Sequence, residues 1–436
     1  MKLPPPEWIE KVIRIDSVTH RSNGDLVAFL CPLLEESGLK VREHWVREKG
    51  LRHCNLVACN DSPHAKNLLV LNTHLDTVSG GDPALWTHTR GDPYRATWEG
   101  DRVYGLGSAD VKLDFLCKLV AIRQARPWTR PFALVGTYGE ERGLVGAARL
   151  LESGAVRPRY ALVGEPSALE IIYAHKGHLV CTAAFRFPRP PAAGGAGGKS
   201  REWHGLAAHS STPHLGRNAL AQALGEAARR KWRILSIEAG TDSNRIPEHC
   251  RMRISESPEP PDAPTRGLLA LVDRLRRLEK KLGRRRDSRF SPSRCTISLN
   301  QASTEKGTVR LTFDIRLIPG ADARAVERDV RRMVEASGGK VASLTVDAPL
   351  DGSPRSPLVK AASAALLSCG VKPRRRTKAS CTEAALYAAH GAEALVFGPG
   401  TSIGNVHRPN EHNLLSQMET AVRFYKAVLA LPEEFR

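Results

Sequence analysis

Leu68-Leu-Val-Leu-Asn-Thr-His-Leu-Asp76 opens with a short apolar run bounded by polar residues and ends in a histidine and an aspartate. Such a run is the pattern of a strand buried on both faces. Two more runs repeat it, Phe132-Ala-Leu-Val-Gly136 and Tyr160-Ala-Leu-Val-Gly164. Helical periodicity lies between them. Lys112 to Ala125 has Phe115, Leu116, Leu119 and Val120 at helical spacing and stops before Pro127. Gly143 to Ser153 also reads as helix, with Gly154 as its natural stop. Upstream, residues 8–47 read as helix and then strand. Alternating strand and helix predicts an α/β fold with a mainly parallel sheet. In such sheets function collects at the carboxyl ends of the strands.

The texture changes after Lys176-Gly177. A strand over Leu179–Phe187 runs into Pro188–Lys199, a Pro/Gly/Ala-rich stretch that reads as a flexible loop. A helix is predicted around Ala219–Arg230. Leu268, Leu271, Leu275, Leu278 and Leu282 mark an amphipathic helix with a very basic outer face. Val309–Ile318 reads as strand and Ala321–Ala336 as helix. The expected organisation is therefore an α/β domain over 1–177 and 349–436, interrupted by an inserted α+β domain over 178–348.

A chain of 436 residues is too long for one ordinary core. No stretch approaches the roughly 20 apolar residues of a membrane span. The N-terminus MKLPPPEWIEKVIRID has prolines and charges where a secretory leader needs an apolar run, so a cytoplasmic location is expected. The nine cysteines are scattered, with no CxxC, which argues against a disulfide framework or a cysteine-cluster metal site. Lysine and arginine number 65 against 46 acidic residues, a net charge of +19. No nucleic-acid-binding motif accompanies that charge. A solvated basic surface is the better reading, with neither nucleic acid nor membrane as partner.

The chemistry-bearing residues sit just after the predicted strands. His74 and Asp76 follow the first, Glu140-Glu141 the second and Glu165 the third. Asp110 lies in Tyr104-Gly-Leu-Gly-Ser-Ala-Asp-Val-Lys112, and His407 in Asn405-Val-His-Arg-Pro-Asn-Glu411. Each alone has an ordinary explanation: a loop histidine, a helix N-cap at Asp110, an acidic first helical turn at 140–141. Together they would crowd one sheet rim with two imidazoles and several carboxylates. Such carboxylates repel and desolvate badly without a counter-charge. A divalent metal supplies it, and mixed histidine and carboxylate ligation suits zinc or cobalt better than calcium or magnesium.

These residues resemble the metal-dependent aminoacylase and carboxypeptidase family that includes acetylornithine deacetylase, succinyl-diaminopimelate desuccinylase and carboxypeptidase G. The likeness runs from His74-Leu-Asp-Thr-Val78 through Asp110, Glu140-Glu141, Gly164-Glu-Pro166, Ala208-His-Ser-Ser211 and Asn218-Ala219 to His407. Ala174-His-Lys-Gly-His178, Ser243-Asn-Arg-Ile246, Asp314-Ile-Arg-Leu-Ile-Pro-Gly320 and Cys381-Thr-Glu-Ala384 are similar to the acetylornithine deacetylase branch.

The resemblance implies a zinc-peptidase-like catalytic domain with an inserted dimerisation or lid domain, and a homodimer. It implies two divalent ions, zinc with cobalt possible. Asp110 would bridge them, His74 and Glu165 would hold one, and Glu141 and His407 the other. Asp76 would orient His74, Glu140 would be the general base, and His209 would help hold a tetrahedral oxyanion. A cis peptide would follow Asp110. Asn244, with Asn300 as rival, and Arg316 would take the amino-acid carboxylate, and Glu383 is assigned to a cationic substrate side chain. The implied reaction is deacylation of an N-acyl amino acid, N-acetylornithine first. Alternatives of the same chemistry are a desuccinylase, a dipeptidase or carboxypeptidase, and a hydrolase of carrier-protein-linked amino acids. A non-catalytic metal-binding scaffold is disfavoured by the intact Glu140.

Overall fold

The computed structural model describes residues 2–187, 198–242, 245–256, 260–432 and 434–435. The chain forms two compact units, one of residues 1–174, 350–377 and 382–436, the other of residues 175–349 and 378–381.

The first unit is built on a nine-stranded sheet. Its centre is four parallel strands, in spatial order Phe132–Thr137, Leu69–His74, Tyr160–Gly164 and Glu393–Val396. The three apolar runs singled out in the sequence are three of these, buried along their whole length because both faces are covered. The margins are antiparallel: Lys40–Glu48 pairs with Leu51–Cys59, which pairs with Phe132–Thr137. On the other side Glu393–Val396 pairs with Ile171–His175. The fold class is thus α/β, with parallel pairing at the centre and antiparallel pairing outside it. Helix Lys112–Gln124 is buried from its first residue through Ile122 and packs against Leu415–Leu429.

Register positions the site. Leu69 lies opposite both Phe132 and Tyr160, so the three strands run in step. His74 reaches Thr137 and Thr73 reaches Gly164 at the same end. Loops 74–76, 138–141 and 165–166 therefore leave from one rim.

The second unit holds a seven-stranded sheet in the order 199–204, 249–255, 233–239, 296–305, 308–317, 177–186, 340–347, with every described pairing antiparallel. Helices Ala219–Arg230, Ala263–Leu282 and Ala323–Glu335 complete it. Leu268, Leu271, Leu275 and Leu278 face inward, as their spacing predicts. The expected loop over Pro188–Lys199 falls mostly outside the described residues. Among the described residues no helix is long and apolar enough to cross a membrane.

Candidate metal centre

His74 ends its strand and is buried. Its Nδ1 lies 3.0 Å from the main-chain carbonyl oxygen of Asp76. A carbonyl only accepts, so Nδ1 carries a proton, while Nε2 faces Asp110 Oδ1 at 3.2 Å. On the other side of Asp110, Oδ2 is 3.1 Å from His407 Nε2, which is also 2.9 Å from Glu141 Oε1. The two oxygens of one carboxylate thus each face a different imidazole nitrogen. A ring nitrogen and an anionic oxygen face one another at such distances only when a cation, proton or metal, lies between them.

At this rim two sets of residues each offer one donor atom apiece, all within 4.8 Å of one another: Asp110, Glu141 and His407, and His74, Glu140 and Glu141. Glu165 follows the third central strand and is buried, and its charge is felt at Glu140. It does not belong to either set.

The electrostatics are those of a site short of positive charge. Burial, with Glu165, Glu141 and Glu383 nearby, pushes the Glu140 carboxyl well above its usual range despite the opposing pull of His74. Glu141 is raised by burial and by Asp110, against a hydrogen bond from His407. Burial would lower His407, yet the carboxylates of Asp110 and Glu141 outweigh it and raise the imidazole to about 11. Asp110 is held far below the carboxylate range, its burial overcome by hydrogen bonds from His407 and His74. Nitrogen and oxygen donors converging with excess negative charge are a donor set suited to divalent zinc or cobalt.

Asp76 meets His74 through its main-chain carbonyl and through a carboxylate oxygen 3.7 Å from Nδ1, and the same carboxylate accepts from the N–H groups of Glu140 (3.1 Å) and Glu141 (3.3 Å). The two glutamates do not open a helix. They occupy a separate 3-10 turn, Glu140–Arg142, between two left-handed glycines, Gly139 and Gly143, before helix Val145–Glu152 begins. The peptide between Asp110 and Val111 is cis.

Glu411 was not singled out for a role, yet it is buried, and its Oε1 accepts from the N–H groups of Ala109 (2.8 Å) and Asp110 (3.0 Å). Burial and the nearby Asp110 raise its carboxyl to about 7. Its place four residues after His407 was the available signal. Lys118 and Asp114 form a fully buried ion pair at 2.6 Å beneath the strand that carries His74. Lys118 also donates to Asn72 O and Thr73 Oγ1.

Glu383 is buried. Its Oε2 accepts from Thr137 Oγ1 at 2.9 Å and from Asn72 Nδ2, tying it to two central strands. Burial raises it to about 7. In the second unit, Arg316 is likewise buried and its guanidinium is engaged, 3.0 Å from Asp314 Oδ2 and 3.2 Å from Ser210 Oγ. His209 lies in a local turn, its Nδ1 accepting from the N–H of Ser211 at 3.1 Å. Asn300 is buried in its strand, and Asn244 lies outside the described residues.

The model of peptidase family M20/M25/M40 matches residues 70–431. An acetylornithine deacetylase of Myxococcus xanthus is 27% identical over 409 residues, 93% of this chain and 91% of the relative. That of Photorhabdus laumondii is 32% identical over 229 residues, and the chain spans about half the length of that relative, 53%. Among solved structures, an aminoacylhistidine dipeptidase from Vibrio alginolyticus aligns with a TM-score of 0.65 at 18% identity, covering 99% of this chain and 98% of its own. An M20 family metallo-carboxypeptidase from Sulfolobus solfataricus aligns with a TM-score of 0.63 at 18% identity, covering 98% of both. At such identity these two structures speak for the fold alone.

Proposed function

The chain belongs to peptidase family M20/M25/M40 and is a metallo-hydrolase, and we propose that within this family it deacylates an N-acyl amino acid, N-acetylornithine being the substrate of choice. The observation that carries the reading is the placement of one imidazole Nε2 on each oxygen of Asp110. His74, Asp110 and Glu165 would hold one ion, and Asp110, Glu141 and His407 the other. Bound divalent ions there would polarise the acyl carbonyl and acidify a water near neutral pH.

The chain's own residues do the proton work. Glu140 takes the proton of the attacking water on its carboxylate and delivers it to the leaving nitrogen, so the amine departs neutral. Asp76 holds the backbone of Glu140 and Glu141, which fixes where that carboxylate can reach. Glu411 fixes the backbone on either side of the 109–110 peptide. The amino-acid deacylation is favoured over peptide cleavage by the Myxococcus xanthus relative, which aligns over nearly the whole chain.

The test is a metal-reconstituted screen of acetylornithine, succinyl-diaminopimelate, acetylmethionine and several dipeptides, with Glu140→Ala alongside. Acetylornithine is expected to give the highest kcat/KM. Glu140→Ala should lower kcat by about 10²–10⁴-fold at unchanged metal content. A dipeptide or succinyl substrate turned over faster would displace the substrate assignment. Amide cleavage undiminished by complete chelation would remove the mechanism itself.

A further inference from the structure

A second group of potential donors lies within the second unit and shares no residue with the centre above. His178, Asp347 and Cys381 each offer an atom within 4.8 Å of the others. Backbone register builds the group. Strand Lys340–Asp347 runs antiparallel to Gly177–Arg186 with Asp347 directly opposite His178, which brings their side chains to the same face at close range. The short return segment 378–381 supplies the third donor, and it is held to the same strand region by the N–H of Lys176 donating to Lys378 O at 3.1 Å. Cys381 Sγ then lies 3.7 Å from Asp347 Oδ2.

Two features speak for a cation at this place. The oxygen-to-sulfur edge of a tetrahedral zinc site is about 3.5–3.7 Å, and the Asp347–Cys381 separation of 3.7 Å matches it. His178 Nε2 is buried and, though 3.3 Å from Asp314 Oδ2, makes no well-formed hydrogen bond. Asp314 is itself committed to Arg316 and Ser210. The histidine is thus held in place by its strand, beside Asp347 and Cys381.

We propose that His178, Asp347 and Cys381 form a thiolate-containing site for a divalent, thiophilic cation, zinc first among them. One nitrogen, one oxygen and one sulfur from the protein leave a fourth tetrahedral position for water or a small ligand. Binding replaces the thiol proton of Cys381 by the ion and releases that proton to solvent. The ion would pin segment 378–381 to the adjacent strands of the second unit. The carboxylate-rich centre has no sulfur donor, so the two sites differ in a property that can be read spectroscopically.

The experiment is titration of the full-length protein with cobalt(II), following the near-ultraviolet sulfur-to-cobalt charge-transfer band. The band should appear and saturate, and Cys381→Ser should abolish it while the circular dichroism spectrum stays native. His178→Ala and Asp347→Asn should each raise the cobalt concentration needed for half-saturation of the band by about tenfold or more. Asp110→Asn, which disables the other centre, should keep the band. Absence of the band at saturating cobalt would overturn the proposal. So would a band of equal amplitude in Cys381→Ser, or one lost in Asp110→Asn.

Discussion

Replacing Lys118 by methionine tests whether the metal centre rests on a buried ionic floor. Lys118 Nζ lies 2.6 Å from Asp114 Oδ2, both side chains are fully buried, and the same ammonium donates to Asn72 O (2.6 Å) and Thr73 Oγ1 (2.7 Å). Asp114 keeps two other donors, Tyr425 Oη at 2.6 Å and Thr73 Oγ1 at 3.0 Å. Methionine fills the space of the lysine stem but leaves a buried carboxylate without its counter-charge and a strand carbonyl without its donor. Breaking one side of a buried pair costs about 3–5 kcal/mol. Adding Asp114→Asn neutralises the remaining charge, and its amide still accepts from Tyr425 and donates to Thr73. The double variant therefore retains only the loss at Asn72 O and should cost about 1–3 kcal/mol. Urea unfolding followed by circular dichroism, as a double-mutant cycle, measures the difference. Asn72 and Thr73 immediately precede His74, so Lys118→Met should also weaken metal retention. The reasoning fails if Lys118→Met costs less than about 1 kcal/mol, a value typical of surface changes. It fails equally if the double variant is as unstable as the two singles summed.

Asp110→Asn removes the anion that both imidazoles face, and metal affinity measured by equilibrium dialysis should fall by more than the roughly 10–100-fold typical of outer-shell changes. Asp76→Ala frees the N–H groups of Glu140 and Glu141 and should cost about 1–3 kcal/mol in urea unfolding, with kcat lowered more than KM is raised because the turn bearing the base is no longer held. In the second unit, burial would raise the Asp314 carboxyl, but Arg316, His178 and Ser210 outweigh it and hold it at about 2. A folded-state value below the unfolded one stabilises above pH about 4, and that stability is lost as pH falls through about 2. The stability gap between wild type and Asp314→Asn should therefore shrink by about 2 kcal/mol between pH 5 and pH 2; a gap independent of pH across that range would refute the assignment.

Much of the catalytic unit was legible from local pattern alone. Leu68–Asn72, Phe132–Gly136 and Tyr160–Gly164 are continuous apolar runs, and burial on both faces of a parallel sheet requires that composition. Once three such strands lie in step, the residues that follow each of them share a rim, so His74, Glu140-Glu141 and Glu165 were marked by position as well as by type. The antiparallel hairpin to Leu51–Cys59 left a weaker trace, and the strand was not foreseen. Tertiary structure alone decided what each polar group does with its hydrogen bonds. Asp76 shares its carboxylate between the histidine beside it, 3.7 Å away, and backbone 64 and 65 residues away. Glu383 is sealed against Asn72 and Thr137, and Glu411 reaches back to Ala109 and Asp110, about 300 residues earlier. The physical reason is range. Apolar periodicity is written into neighbouring residues because each strand or helix must present its own face to the core. A buried donor or acceptor must find a partner wherever the folded chain brings one, and no local pattern records which partner that will be.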